Sequence, residues 1–359
     1  MSAEAAVQDQ GLVIPLIDFS LFLHGSPAER ASTARAVLHG FQTAGFVYLA
    51  RHAIPPAAVA AVFARSAAFF AQPAADKEAL RLTDAAANRG YLRQGREKLV
   101  ISPPPPPPPP PEDGGRGAAT SSSSSAVEGA EEGAADLKES FEIGREPHED
   151  FRNHWPAQGK VDGFREEMMA FFEMCQELHV QVMRAIAMGL GLDETHFDGF
   201  VDSADNTLRL LHYPQVKANV FKNKVGQLRA GEHTDYGSVT LLFQDDRGGL
   251  QVRSPSGKFV DATPIPDTIV VNAGDLLARW SNDTIKSTIH RVVEPPHDND
   301  NDDDEDVVYP PRYSVAYFCN PNADKLIEAM PGTYADEADK KYEGITSGDY
   351  LFQRLAATY

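Results

Sequence analysis

Cysteine is almost missing from this chain. Of 359 residues only Cys175 and Cys319 are cysteines, too few for a disulfide scaffold, so a reducing, cytoplasmic setting is the simpler expectation. No run of eighteen apolar residues occurs, so no membrane-spanning helix is expected. The opening MSAEAAVQDQ lacks the basic-then-apolar order of a secretory leader. Positive charge is scarce as well: 33 Lys+Arg stand against 52 Asp+Glu, a net charge of −19. That balance disfavours duplex nucleic acid and anionic membrane surfaces, both of which need clustered cations. No internal repeat is visible and no glycine-rich phosphate loop follows a strand. Solenoids and the common nucleotide folds are thereby set aside.

What is present is uneven. Residues 103–135 are a low-complexity run of Pro, Ser, Ala, Gly and Glu that opens with nine prolines. It has too few apolar groups to offset the entropy of ordering, so a disordered surface insert is expected. A ligand for a proline-reading domain is the alternative. Residues 298–306 carry seven carboxylates and read as a second, acidic, low-complexity loop. Over the whole chain, 42% hydrophobic residues and 19 Phe leave ample material for a core.

The chain divides by pattern into an N-terminal region (1–100), the insert, a helical support (136–200), a strand-rich core (205–322) and a helical C-terminal segment (323–359). Val13 to Phe19 reads as a strand, placed at a sheet edge by Pro15. Pro27 to Ala44 has helical spacing and stops at Gly45; Phe46 to Leu49 is β-prone; Pro56 to Phe70 is a second helix. Phe164 to Met188 is the clearest helix, with Phe164, Met168, Phe171, Phe172, Cys175, Leu178, Val182 and Ile186 on one face. From Thr207 onward the pattern changes to short β-branched or aromatic strands at 207–213, 238–243, 249–252, 268–272, 288–293 and 313–318. With no long helix between them they indicate a jelly roll, hence an α+β fold with a double-stranded β-helix core and supporting helices.

Two histidines and a carboxylate on one side of a metal are the ligand set of non-haem iron oxygenases. The H-x-D fragment occurs at His148, His196 and His233, so context must choose. The first lies in polar loop sequence and the second in a Gly/Asp-rich turn. His233-Thr234-Asp235 directly precedes a strand, and His290 lies within another. Rigid strands hold ligands better than loops, so His233, Asp235 and His290 are the expected catalytic and metal-binding set. R-x-S also occurs three times, at Arg30, Arg279 and Arg312. Only Arg312-Tyr313-Ser314 begins a strand after His290. Strand parity puts Arg312, Ser314, Ala316, Phe318 and Asn320 on one face, and Arg209, Leu211 and Tyr213 on one face of the strand at Thr207. Polar groups at such spacing are costly unless they meet each other or a ligand. His212, of opposite parity, is expected to be structural.

These residues, in this order, resemble the iron(II)/2-oxoglutarate-dependent oxygenases of the isopenicillin N synthase-like subgroup. IPLIDF at 14–19, GF-x-YL-x-x-H at 45–52 and NRGY at 88–91 agree with that subgroup's N-terminal region. HGFQTAGF, KESFEIGRE, LRLLHYP, RAGEHTDYGS, VNAGDLLARWSNDTIKST and AYFCNPN are similar to the fungal members that oxidise free thymine. The resemblance spans the chain except for its two low-complexity runs. It implies hydroxylation of the thymine methyl group, with further oxidation to 5-formyluracil and 5-carboxyuracil, and release of succinate and CO2. It implies Fe(II) on His233, Asp235 and His290; 2-oxoglutarate on Arg312, Ser314 and Tyr213; and the base on Arg209, Tyr236, Phe318 and Asn320. O2 is the oxidant and ascorbate the expected reductant in vitro. The competing readings are an oxygenase of the same family acting on another small molecule, a branch that dispenses with 2-oxoglutarate, and a non-catalytic jelly roll with a structural metal.

Overall fold

The computed structural model describes residues 4–84, 87–95, 136–217, 220–221, 228–294 and 308–358. The insert at 103–135 and the acidic run at 298–306 lie outside the described residues. One sheet has nine strands, in the spatial order β1 (Glu4–Asp9), β2 (Leu12–Asp18), β3 (Phe46–Ala50), β12 (Thr268–Ala273), β9 (Val239–Gln244), β15 (Arg312–Cys319), β6 (Thr207–Tyr213), β5 (Glu139–Gly144) and β4 (Gly90–Leu92). A second sheet has four: β11 (Phe259–Asp261), β10 (Leu250–Arg253), β13 (His290–Val292) and β8 (Ala230–His233). Two short ribbons pair β7 (Val216–Lys217) with β14 (Val308–Tyr309), and β16 (Leu326–Ile327) with β17 (Ile345–Thr346). In the two large sheets the only parallel pair among the described strands is β2 with β3.

Alternation along the strands of the large sheet separates two cores. Val47, Leu49, Leu241, Phe243, Val271, Val315 and Tyr317 face the helices. Phe46, Tyr48, Leu242, Val270, Ala316 and Phe318 face Ala230, Leu250, Val252 and Val292 of the small sheet. The jelly-roll core expected from the strand pattern is therefore present, with helices on the outer face of its larger sheet. The helix Phe164–Gly189 supplies most of that cover. Phe171 meets Phe243 edge-on at 5.0 Å and Phe172 meets Tyr317 at 5.0 Å. Truncating either ring to Ala is expected to cost about 3–5 kcal/mol.

Gly45 joins the N-terminal region to this core. The helix Pro27–Thr43 opens on a reciprocal Ser26–Glu29 capping box and closes where the Gly45 amide donates to the Gly40 carbonyl. Gly45 has φ +74°, and a Cβ there would lie 2.5 Å from both the Lys286 carbonyl oxygen and Thr288 Oγ1. The same close approach lets Thr288 Oγ1 donate to the Ala44 carbonyl at 2.9 Å.

Four expectations need correction. The strand holding Pro15 is not at the edge, because β1 lies outside it. The register slips between Ala5 and Val7, opposite Pro15, so the ladder is irregular where proline offers no N–H. The segment 136–200, expected helical, begins with β5, whose six residues are all buried. The C-terminal segment is mostly loop, and its only described α-helix is Ser347–Thr358. Finally, the strand expected at 288–293 is limited to His290–Val292.

Candidate active site

His233 ends β8 and His290 begins β13, paired directly across the small sheet. Asp235 follows two residues after His233. The three offer ligand atoms that all lie within 4.8 Å of one another. His233 Nε2 and His290 Nε2 stand 3.9 and 3.8 Å from Asp235 Oδ1. Their other atoms are committed elsewhere. His233 Nδ1 lies 2.8 Å from the Gly231 carbonyl, and His290 Nδ1 3.1 Å from the Thr288 carbonyl. Asp235 Oδ2 accepts from Thr240 Oγ1 at 2.6 Å and Asn272 Nδ2 at 2.7 Å. Each outer contact turns one donor atom toward the common centre, as supporting partners of metal ligands do.

Electrostatics agrees with that geometry. Burial, reinforced by the neighbouring His290, pushes His233 down to about 3, so its imidazole is neutral at ordinary pH. Burial alone would raise Asp235, but His290, His233, Asn272 and Thr240 outweigh it and hold the carboxyl below its usual range. Two imidazole nitrogens and a carboxylate oxygen, each side chain backed by a second hydrogen bond, form a donor set that fits a divalent non-haem iron.

The remaining walls come from the large sheet. Arg312 is 1% exposed, with Nε donating to the Gly248 carbonyl, Nη1 to Ser314 Oγ and Nη2 to Gln244 Oε1. Its guanidinium lies over the Tyr213 ring at 4.9 Å, and Arg312 and Tyr213 are register partners. Arg209, farther along the same face of β6, has its guanidinium over the Phe318 ring at 5.1 Å. Asn320 Nδ2 donates to the Asp205 carbonyl at 2.9 Å. Tyr236 lies beneath the Arg354 guanidinium at 4.6 Å.

All ten residues expected at the site line one cavity of about 520 Å³. His212 points the other way, bonded to Glu139 and stacked on Tyr313 at 4.6 Å. His148 Nδ1 accepts two backbone amides in a turn that lines the cavity, and His196 packs against Phe197 and Phe200. Neither joins the triad.

Sequence reasoning misses several participants. Asn272 and Thr240 are hidden in apolar strands, though a lone Asn in IVVNAG is a signal. Glu142 sits in β5, within the segment expected to be helical. Asp275 binds Ser287 Oγ at 2.6 Å, Thr234 Oγ1 at 3.1 Å and Arg354 at 3.1 Å. It thereby joins the loop of His233 and Asp235 to the helix Ser347–Thr358, whose Leu351, Phe352 and Leu355 also wall the cavity. No local pattern announces that pairing.

The model of the 2OG-Fe(II) oxygenase superfamily matches residues 204–321, and the N-terminal model of non-haem dioxygenases in morphine synthesis matches 14–103. A 2-oxoglutarate-Fe(II) type oxidoreductase, ppzD, of Metarhizium rileyi is 33% identical, with coverage of 96% of this chain and 90% of that protein. The chain belongs to the 2OG-Fe(II) oxygenase superfamily. As an oxygenase of that superfamily it is a 2-oxoglutarate-dependent dioxygenase using Fe(II) and O2. The crystal structure of full-length Neurospora crassa thymine 7-hydroxylase with alpha-KG and thymine is 55% identical, with TM-score 0.85 and coverage of 99% of this oxygenase and 100% of that chain. The same enzyme with alpha-KG and 5-formyluracil is 55% identical with TM-score 0.83, covering 99% of both chains. Among the described residues no helix is long and apolar enough to cross a membrane.

Proposed function

We propose that this dioxygenase hydroxylates the methyl group of free thymine to 5-hydroxymethyluracil, and oxidises that product onward to 5-formyluracil and 5-carboxyuracil. Each round would consume one O2 and one 2-oxoglutarate and release succinate and CO2. The observation that carries the reading is the meeting of Arg209, Tyr236, Phe318 and Asn320 in the cavity of the triad. The chain is also 55% identical, over 99% of its length, to the Neurospora crassa thymine 7-hydroxylase, which crystallises with thymine and with 5-formyluracil.

His233, Asp235 and His290 would hold Fe(II), which when bound would activate O2, a reactivity that no protein side chain has. The other residues bind and orient. Arg312, with Ser314 and Tyr213, offers a fork suited to the distal carboxylate of 2-oxoglutarate. The planar base would lie against Phe318 and Tyr236, with its polar edge toward Arg209 and Asn320. An amide can donate and accept at once, as a pyrimidine edge requires. The apolar lining at Leu211, Leu242, Leu250 and Val292 keeps the reacting end dry.

The test is incubation with Fe(II), ascorbate, 2-oxoglutarate and a panel of pyrimidines, with products identified by mass. Conversion of thymine in step with succinate release is expected. If no pyrimidine is turned over while 2-oxoglutarate is still bound, the substrate is another small molecule.

A further inference from the structure

A carboxylate behind the base end of the cavity has no part in the chemistry above. Glu142 is fully buried on β5, register partner of Arg209 on β6. Its Oε1 lies 2.6 Å from Arg209 Nε and accepts from Ser140 Oγ at 2.9 Å. The contact with Arg209 Nε is a charge pair, not an aligned hydrogen bond. Buried Arg89 packs on Gly144, where a Cβ would lie 1.7 Å from its guanidinium. Arg145 pairs with Asp205 at 2.7 Å. Among the described residues, the cations Arg209, Arg89 and Arg145 and the acids Glu142, Asp205 and Asp150 stand about this end of the cavity, and Glu142 is the acid set at ion-pair distance from Arg209. A guanidinium in a dry cavity attracts an anion more strongly than a neutral ring, because both charges have shed water. A paired carboxylate cancels much of that preference.

We propose that Glu142 is a specificity-determining positioning residue: by pairing with Arg209 it makes the base end accept an uncharged pyrimidine in preference to an anionic one. This rests on the reading of the cavity as a base site. It also bears on product release, since 5-carboxyuracil carries a negative charge that thymine lacks.

The test uses the full chain loaded with Fe(II) and 2-oxoglutarate. Thymine turnover is measured with two competitors: uracil, which is neutral, and barbiturate, a planar pyrimidine anionic at neutral pH. In Glu142→Gln the inhibition constant of barbiturate relative to uracil should tighten about fivefold or more, while the 2-oxoglutarate requirement stays unchanged. Arg209→Gln, which leaves the carboxylate alone, should shift that ratio the opposite way and keeps the test open if Glu142→Gln fails to fold. The double variant should return near the wild-type ratio. Parallel losses for both competitors would show a merely structural role and overturn the inference. An active wild type with unchanged ratios in the variants would overturn this inference alone. A wild type that binds 2-oxoglutarate yet turns over no thymine would overturn the reading beneath it, and this inference with it.

Discussion

His233 and His290 face each other across one antiparallel pairing with ring centroids 4.3 Å apart, and each directs Nδ1 to the carbonyl two residues earlier in its own chain segment. The two rings are thus fixed by the same local device, and both Nε2 atoms converge on Asp235. His233→Ala, Asp235→Ala and His290→Ala are each expected to abolish turnover and Fe(II) binding with the fold retained by circular dichroism. Near-normal activity in any one, free of wild-type contamination, would refute the metal assignment.

Asn272→Ala tests the support behind those ligands. It removes a buried donor to Asp235 without removing a metal ligand, so Fe(II) affinity should fall about 10–100-fold. Turnover at saturating iron should recover much of its wild-type level. Titrating Fe(II) by activity and by calorimetry checks both statements.

Arg312→Ala should raise the 2-oxoglutarate requirement strongly while leaving thymine affinity nearly unchanged. The lost fork leaves a carboxylate desolvated and unpaired, a penalty of about 3–5 kcal/mol. An unchanged co-substrate titration would place the anchor elsewhere.

Phe318→Ala and Asn320→Ala should lose thymine hydroxylation yet still bind Fe(II) and 2-oxoglutarate. Asn320→Ala removes an edge contact at about 1–3 kcal/mol, and loss of the Phe318 ring displaces the methyl group from its reacting position. Co-substrate binding by calorimetry beside product formation separates the two effects. Wild-type turnover in both would move the base out of this cavity.

Gly45→Ala should destabilise the protein although it lies outside the cavity. Positive φ and a 2.5 Å clash with backbone oxygen leave no room for Cβ, and a cost of about 2 kcal/mol or more is expected. Thr288 would shift with it, and its carbonyl orients His290, so iron affinity should fall too. Chemical denaturation and iron titration on the same variant test both.

Much of this site is readable from strand parity. Arg312, Ser314, Ala316 and Phe318 alternate with Tyr313, Val315, Tyr317 and Cys319, and the structure sends the first set to the cavity and most of the second to the helix-facing core. Long helices are equally plain, because a 26-residue amphipathic face such as Phe164–Gly189 leaves no other reading. Short strands are harder. Glu139–Gly144 becomes a strand because β6 and β4 pair with both its edges, and those partners lie tens of residues away in the chain. The Asp275–Arg354 and Glu142–Arg209 pairs are of the same kind: Asp275, Arg354 and Glu142 each look alone like a solvated surface charge, and Arg209, which parity does place on the inward face, gives no sign of which acid it meets.

The triad's histidines stand on the four-stranded sheet, whereas Arg312, Ser314, Tyr213, Arg209 and Phe318 all stand on the nine-stranded one. The site therefore lies on a seam between the two sheets, crossed where Thr240 of β9 and Asn272 of β12 hold Asp235. If the base lies as proposed, a library confined to Arg209 on β6 and Phe318 on β15 is expected to change what is oxidised. It would leave untouched His233 and His290 on the small sheet, and Thr240 and Asn272 behind Asp235. For an engineer the cavity is a tool with an exchangeable grip at one end of the large sheet and a fixed head that both sheets brace.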